Sequence, residues 1–191
     1  MSNTVKKKFL IIADIVIALL LLAFDQFTKY LSVVHLKGKQ AFVLIEGVLE
    51  LDYLENRGAA FGMMQGQRWF LLLISIILVF VIGFLLFKIP THKKYIWLHL
   101  VCAAIIAGGI GNMLDRFRLG YVIDFISFIL INYPIFNVAD CYVVVAAIGL
   151  CILLLLVYKE EDLEFLSLRR KTILQQAKEQ NKPESEKKER E

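Results

Sequence analysis

Four apolar stretches limit what this 191-residue chain can fold into. Residues 9–34, 69–87, 95–114 and 141–158 are each about 18 residues or longer. That is enough to cross a hydrocarbon core of about 30 Å at about 1.5 Å per residue. With 58% hydrophobic residues, the chain carries more apolar surface than one small soluble core can hide. The expected fold is therefore an α-helical integral membrane protein with four transmembrane helices. A basic start followed by an apolar run also resembles a secretory signal peptide. Here the run is followed by the polar DQFTK cluster (25–29) instead of a small-residue cleavage site, so the first stretch reads as a retained span.

Four spans leave both termini on one side of the membrane. Near the spans, the side of the termini holds ten Lys and Arg and the opposite side seven. This balance favours cytoplasmic termini. The net charge of +4 makes nucleic acid a poor partner. Residues 1–160 form the expected membrane domain, and 161–191 a charged tail. Part of that tail, KEQNKPESEKKERE, has the composition of a disordered segment, and LEFLSLRRKTILQQ (163–176) reads as a surface amphipathic helix. Cys102, Cys141 and Cys151 lie in or beside apolar runs without CxxC spacing, so neither a disulfide framework nor a metal site is expected. His35, His92 and His99 are too scattered for zinc, and no cofactor is implied.

The loop from 35 to 68 has its own pattern. FVLIEGVLELDYL contains two β-rich runs around Glu46-Gly47, with Leu49, Leu51 and Tyr53 alternating with Glu50 and Asp52. That is a hairpin with one apolar face, which needs helices or a membrane surface beneath it.

The chemistry-bearing residues cluster at one end of the spans. Asp25 and Lys29 are four apart and share a helical face, either as a packing ion pair or as part of a site. Asp14 sits about three turns earlier, on the cytoplasmic side, and is assigned no role. In ENRGAAFG (55–62), small residues permit close backbone approach and Asn56 offers a donor and an acceptor. A loop packed on the membrane explains the same residues equally well. In GGIGNMLDR (108–116), the glycines permit tight helix contact. Arg116 there either pairs with Asp115 or Asp124 or holds substrate carbonyls.

Asn137 suits the N-cap of the fourth helix, where the dipole favours the negative charge of Asp140. Asp124 lies in an apolar setting that raises a carboxyl pKa. Two carboxylates whose environments push their titrations apart can share a proton and activate water. A proton-coupled transporter and a non-catalytic scaffold are the alternatives. Transport fits carboxylates at the midplane and inverted repeats, and a scaffold leaves the paired aspartates unexplained.

DQFTK, ENRGAAFG, GGIGNMLDR, GYVIDF and FNVAD, taken in order between four spans, resemble the lipoprotein signal peptidases (signal peptidase II). The resemblance implies a bacterial inner-membrane aspartic endopeptidase with four helices and a small periplasmic β-sheet cradle at about 35–68. Its substrates would be prolipoproteins whose lipobox cysteine carries a diacylglyceryl group, cut just before that cysteine. The dyad falls on Asp124 and Asp140, near the periplasmic face. Asn56, Asn112, Arg116 and Asn137 match pocket-lining positions, and Asp25, Lys29 and Asp115 match positions that hold the architecture. A monomer in contact with membrane lipids is expected, without metal.

Overall fold

The computed structural model describes residues 3–59 and 63–166. Among the described residues, four helices are long and apolar enough to cross a membrane: α1 (Asn3–His35), α2 (Arg68–Lys88), α3 (Ile96–Leu119) and α4 (Val138–Ile152), the last as part of a span that runs on to Val157. Five residues of wider i→i+5 bonding, Leu153–Val157, lengthen α4 at its C-terminus. Three strands of the described residues, β1 (Phe42–Ile45), β2 (Leu49–Asn56) and β3 (Val122–Phe128), form one antiparallel sheet of order β1-β2-β3. Ala60, Phe61 and Gly62 of ENRGAAFG lie outside the described residues, as does the tail from 167 onward. The expected amphipathic helix at 163–176 is therefore described only to Leu166, within a 3₁₀ segment.

Helix α3 is the hub and packs against α1, α2 and α4. Its small residues explain why. Ala103, Ala107, Gly108 and Gly111 are buried, and each is short enough for a neighbouring backbone to come close. A Cβ on Gly108 would lie 2.5 Å from the Ala139 carbonyl oxygen of α4, and one on Gly111 2.6 Å from Asp25 Oδ2 of α1. By contrast, α2 shows Trp69, Leu73, Ile77, Phe80, Phe84 and Phe87 on its surface, the pattern of a face turned to lipid.

Gly108→Ala should therefore push α4 off α3 and cost about 1–3 kcal/mol, an overpacking penalty. The control is Gly83→Ala in α2, where a Cβ meets nothing within 4 Å. That change should be neutral or slightly stabilising. Thermal unfolding in detergent compares the two, and equal midpoints would contradict the close α3–α4 approach.

The hairpin forms around a turn in which Gly47 has φ +71, with Phe42 opposite Leu51. The third strand is the addition. Gly120 closes α3 with φ +89, its N–H bonded to the Arg116 carbonyl at 3.1 Å, and the chain then turns directly into β3. Asn56 pairs with Val122 and Leu54 with Asp124, so Asn56 and Asp124 are diagonal neighbours across the strands.

Helix bounds differ from the apolar runs in places. α1 begins at Asn3 and not at 9, and α3 continues past residue 114 to Leu119, whereas α4 starts at Val138, directly after the N-cap expected at Asn137. The added turn of α3 is polar, and Asp115 and Arg116 there have partners inside the protein, Lys29 and the Gly58 carbonyl.

At the opposite end, Asp14 is buried against His99, with Nδ1 2.8 Å from Oδ2. Asp14, assigned no role from the sequence, thus has a buried partner on α3. Lys94–Asp162 (2.6 Å) and the Tyr95, Tyr158 and Phe165 rings fasten the segment after α4 to the helices.

Candidate active site

The deepest polar residues form one network at the β-sheet end of the spans. Its base is an ion cluster. Lys29 of α1 contacts Asp25 Oδ2 at 3.0 Å, Asp115 Oδ2 at 2.9 Å and Asn112 Oδ1 at 3.0 Å. Three partners use all three protons of an ammonium group. Asp25 and Lys29 are 0% and 1% exposed, so these charges are tolerable only because each is bonded. Gln26 adds an amide that donates to Asp115 Oδ1 (3.0 Å) and Asp25 Oδ2 (3.2 Å). The Ala139 N–H donates to Asp25 Oδ1 at 2.9 Å, tying α1 to the start of α4. Nothing in the sequence pattern singled out Gln26. Its signal was its place beside Asp25 in a polar cluster at the end of an apolar run.

Three asparagines stand above this base, and their orientation is forced. Each carbonyl is held by a donor, which turns each NH₂ toward an aspartate. Asn112 accepts from Lys29, so its Nδ2 donates to Asp140 Oδ1 at 2.7 Å. Asn56 accepts from the Gly58 N–H (2.9 Å) and donates to Asp124 Oδ2 at 2.8 Å. Asn137 is the N-cap of α4 and accepts from the Asp140 N–H (3.0 Å). Its Nδ2 donates to Asp124 Oδ1 at 2.6 Å and to Asn112 Oδ1 at 3.1 Å. The Asn137 N–H completes the set, donating to Asp140 Oδ2 at 3.1 Å in a capping box. Every oxygen of both aspartates thus accepts a hydrogen bond, and Asn137 touches both.

Asp124 is 1% exposed. Burial pushes its carboxyl up from an ordinary 3.8 to about 6, and the nearby Asp140 charge adds to the rise. The hydrogen bonds from Asn56 and Asn137 act against it. A carboxyl whose folded pKa is raised adds stability while protonated. That contribution is fully present below about pH 3.8 and is lost as pH rises through about 6, a change of about 3 kcal/mol. Asp124→Asn should therefore gain in unfolding temperature relative to the native chain between about pH 4 and about pH 8. A pH-independent difference in detergent melts would contradict the burial of this charge.

Asp124, Asp140, Asn56, Asn112 and Arg116 line one cavity of about 540 Å³, together with apolar residues of α2, α3, α4 and the loop before α4. That volume lies in the range of small-ligand and peptide sites. Arg116 spends one N–H on the Gly58 carbonyl (3.0 Å) and forms no ion pair within 4.0 Å among the described residues. Of the alternatives weighed for Arg116, neither an ion pair with Asp115 nor one with Asp124 is formed, and Asp115 is instead bound by Lys29. Among the described residues, no three His, Cys, Asp or Glu side chains converge as a metal cluster.

Fold and site together define a four-span integral membrane protein with two amide-clamped aspartates facing a cavity under a small sheet. Residues 17–156 match the family described as Signal peptidase (SPase) II. The lipoprotein signal peptidase of Streptococcus pyogenes serotype M1 is 43% identical over 145 residues, covering 75% of this chain and 91% of that one. That of serotype M5 (strain Manfredo) is 42% identical over the same coverage. Two solved bacterial membrane enzyme structures, determined in meso at 2.3 and 1.9 Å, are each 30% identical, with TM-scores of 0.70 and 0.64. They cover 78% and 76% of this chain, and 92% and 94% of their own. The chain belongs to the signal peptidase II family, and it is a bacterial multi-pass membrane peptidase of lipoprotein processing.

Proposed function

We propose that this protein is an aspartic endopeptidase that removes the signal peptide from diacylglyceryl-modified prolipoproteins, cutting just before the lipid-bearing cysteine. One observation carries the reading: two aspartates, fixed on all four oxygens by donors from three asparagines and one backbone N–H, line the same cavity. Such a pair shares one proton. The ionised member takes a proton from a water molecule as that oxygen bonds to the scissile carbonyl carbon. The protonated member gives its proton to the carbonyl oxygen. The resulting diol collapses, the C–N bond breaks, and the cysteine nitrogen leaves as a protonated amine. The signal peptide departs with a new carboxylate.

Asn56, Asn112 and Asn137 hold the dyad, and Arg116, in the cavity wall, orients the extended peptide. Asp25, Lys29 and Asp115 hold α1, α3 and α4 in register beneath it. No metal or cofactor takes part, and one chain suffices. Both termini face the cytoplasm and the dyad lies near the outer face. The acyl chains and signal helix of the substrate stay in the bilayer, supplying binding energy there.

The test is cleavage of matched prolipoproteins with and without the diacylglyceryl group, with products mapped by mass spectrometry. Cleavage before the cysteine should require the lipid, lowering kcat/KM at least about 100-fold without it. Equal cleavage of both forms, or a cut at another bond, would contradict the proposal.

A further inference from the structure

A second cavity, about 640 Å³, opens on the other side of the sheet. It shares no lining residue with the cavity of the dyad. Neighbouring residues on a strand point to opposite faces, and β3 divides in that way: Asp124 lines one cavity and Phe125 the other. Phe42 of β1 and Leu51 of β2 extend the apolar wall on the sheet side. The facing wall is the last part of α1, and there the lining turns polar. Ser32 is 3% exposed, and its buried hydroxyl has no hydrogen-bond partner. A buried, unpaired hydroxyl costs about 1–3 kcal/mol, so its position in a cavity wall points to a partner that arrives from outside. The ionisable lining residues are His35 and Lys39, and no carboxylate is among them. The Lys39 ammonium lies 3.5 Å from the Val34 carbonyl, a weak contact.

We propose that this cavity binds one membrane phospholipid with an anionic headgroup. The headgroup meets Lys39 and His35, a headgroup or ester oxygen accepts from Ser32, and an acyl chain lies against Phe42, Leu51 and Phe125. The cavity sits where α1 ends and the sheet begins, which is where a span passes from hydrocarbon to headgroups. A bound lipid would brace β3 from behind, on the strand that carries Asp124.

Delipidated full-length protein, titrated with phosphatidylglycerol or phosphatidylcholine and followed by native mass spectrometry, tests this. The native chain should retain one phosphatidylglycerol about tenfold more tightly than phosphatidylcholine. Lys39→Gln should abolish that preference, and Ser32→Leu, which fills the cavity, should abolish retention of either lipid. Circular dichroism identifies a variant that fails to fold, and Lys39→Gln on the protein surface remains informative in that case. Equal retention of the two lipids by the native chain, or retention unchanged by Ser32→Leu, would mean ordinary annular lipid and overturn the proposal. None of these readings involves cleavage, so they stand or fall apart from the peptidase activity.

Discussion

Asp124→Asn and Asp140→Asn are each expected to reduce prolipoprotein cleavage by at least about 10³-fold while leaving a folded protein. The scale is that of removing one member of a catalytic unit whose parts act together. Water activation needs one carboxylate to accept a proton and one carboxylic acid to donate, and an amide does neither at neutral pH. The fold should survive because the substitution is nearly isosteric and removes a buried charge. At Asp124 that removal relieves the burial that raises the carboxyl to about 6. Single-turnover cleavage in detergent measures the effect. Either variant cutting at a tenth of the native rate or faster would contradict the dyad.

Lys29→Met should produce the largest loss of stability, about 3–5 kcal/mol, by leaving the buried Asp25 and Asp115 without their shared cation. Methionine keeps the length and apolar stem, so the loss reports the charge and not a cavity. The damage should also reach the dyad. Without the Lys29 donor, the Asn112 carbonyl is no longer pinned, and the amide that holds Asp140 is free to turn. Thermal unfolding in detergent and cleavage should therefore fall together. Native-like stability in Lys29→Met would show that the cluster is dispensable.

The four helices were readable because lipid demands long apolar runs, and hydropathy reports those directly. The far end of α3 is less legible, since the apolar run stops at residue 114 while the helix goes on to Leu119, with Asp115 and Arg116 finding partners only in the fold. The β1–β2 hairpin was visible as alternation around Glu46-Gly47. β3 was not: VIDFISF lacks alternation, and what makes it a strand is pairing with β2, nearly 70 residues earlier. For Asn137 the capping role was legible from spacing, but its second bond, to Asp124, crosses between elements and leaves no local trace. The Lys29–Asp25 pair followed from i,i+4 spacing. Asp115 as its other partner, and the Asp14–His99 contact across 85 residues, required the fold.

That the two aspartates work as one unit is tested most directly by binding of a tetrahedral analogue. The probe is a lipidated peptide with a hydroxymethylene in place of the scissile carbonyl, compared with the same peptide lacking the hydroxyl. Native protein should prefer the hydroxyl form by about 100-fold or more. Asp124→Asn, Asp140→Asn and the double variant should each lose that preference to the same extent. Single losses that add up in the double variant, or a preference that survives in either single one, would show two independent carboxylates where a shared proton is required.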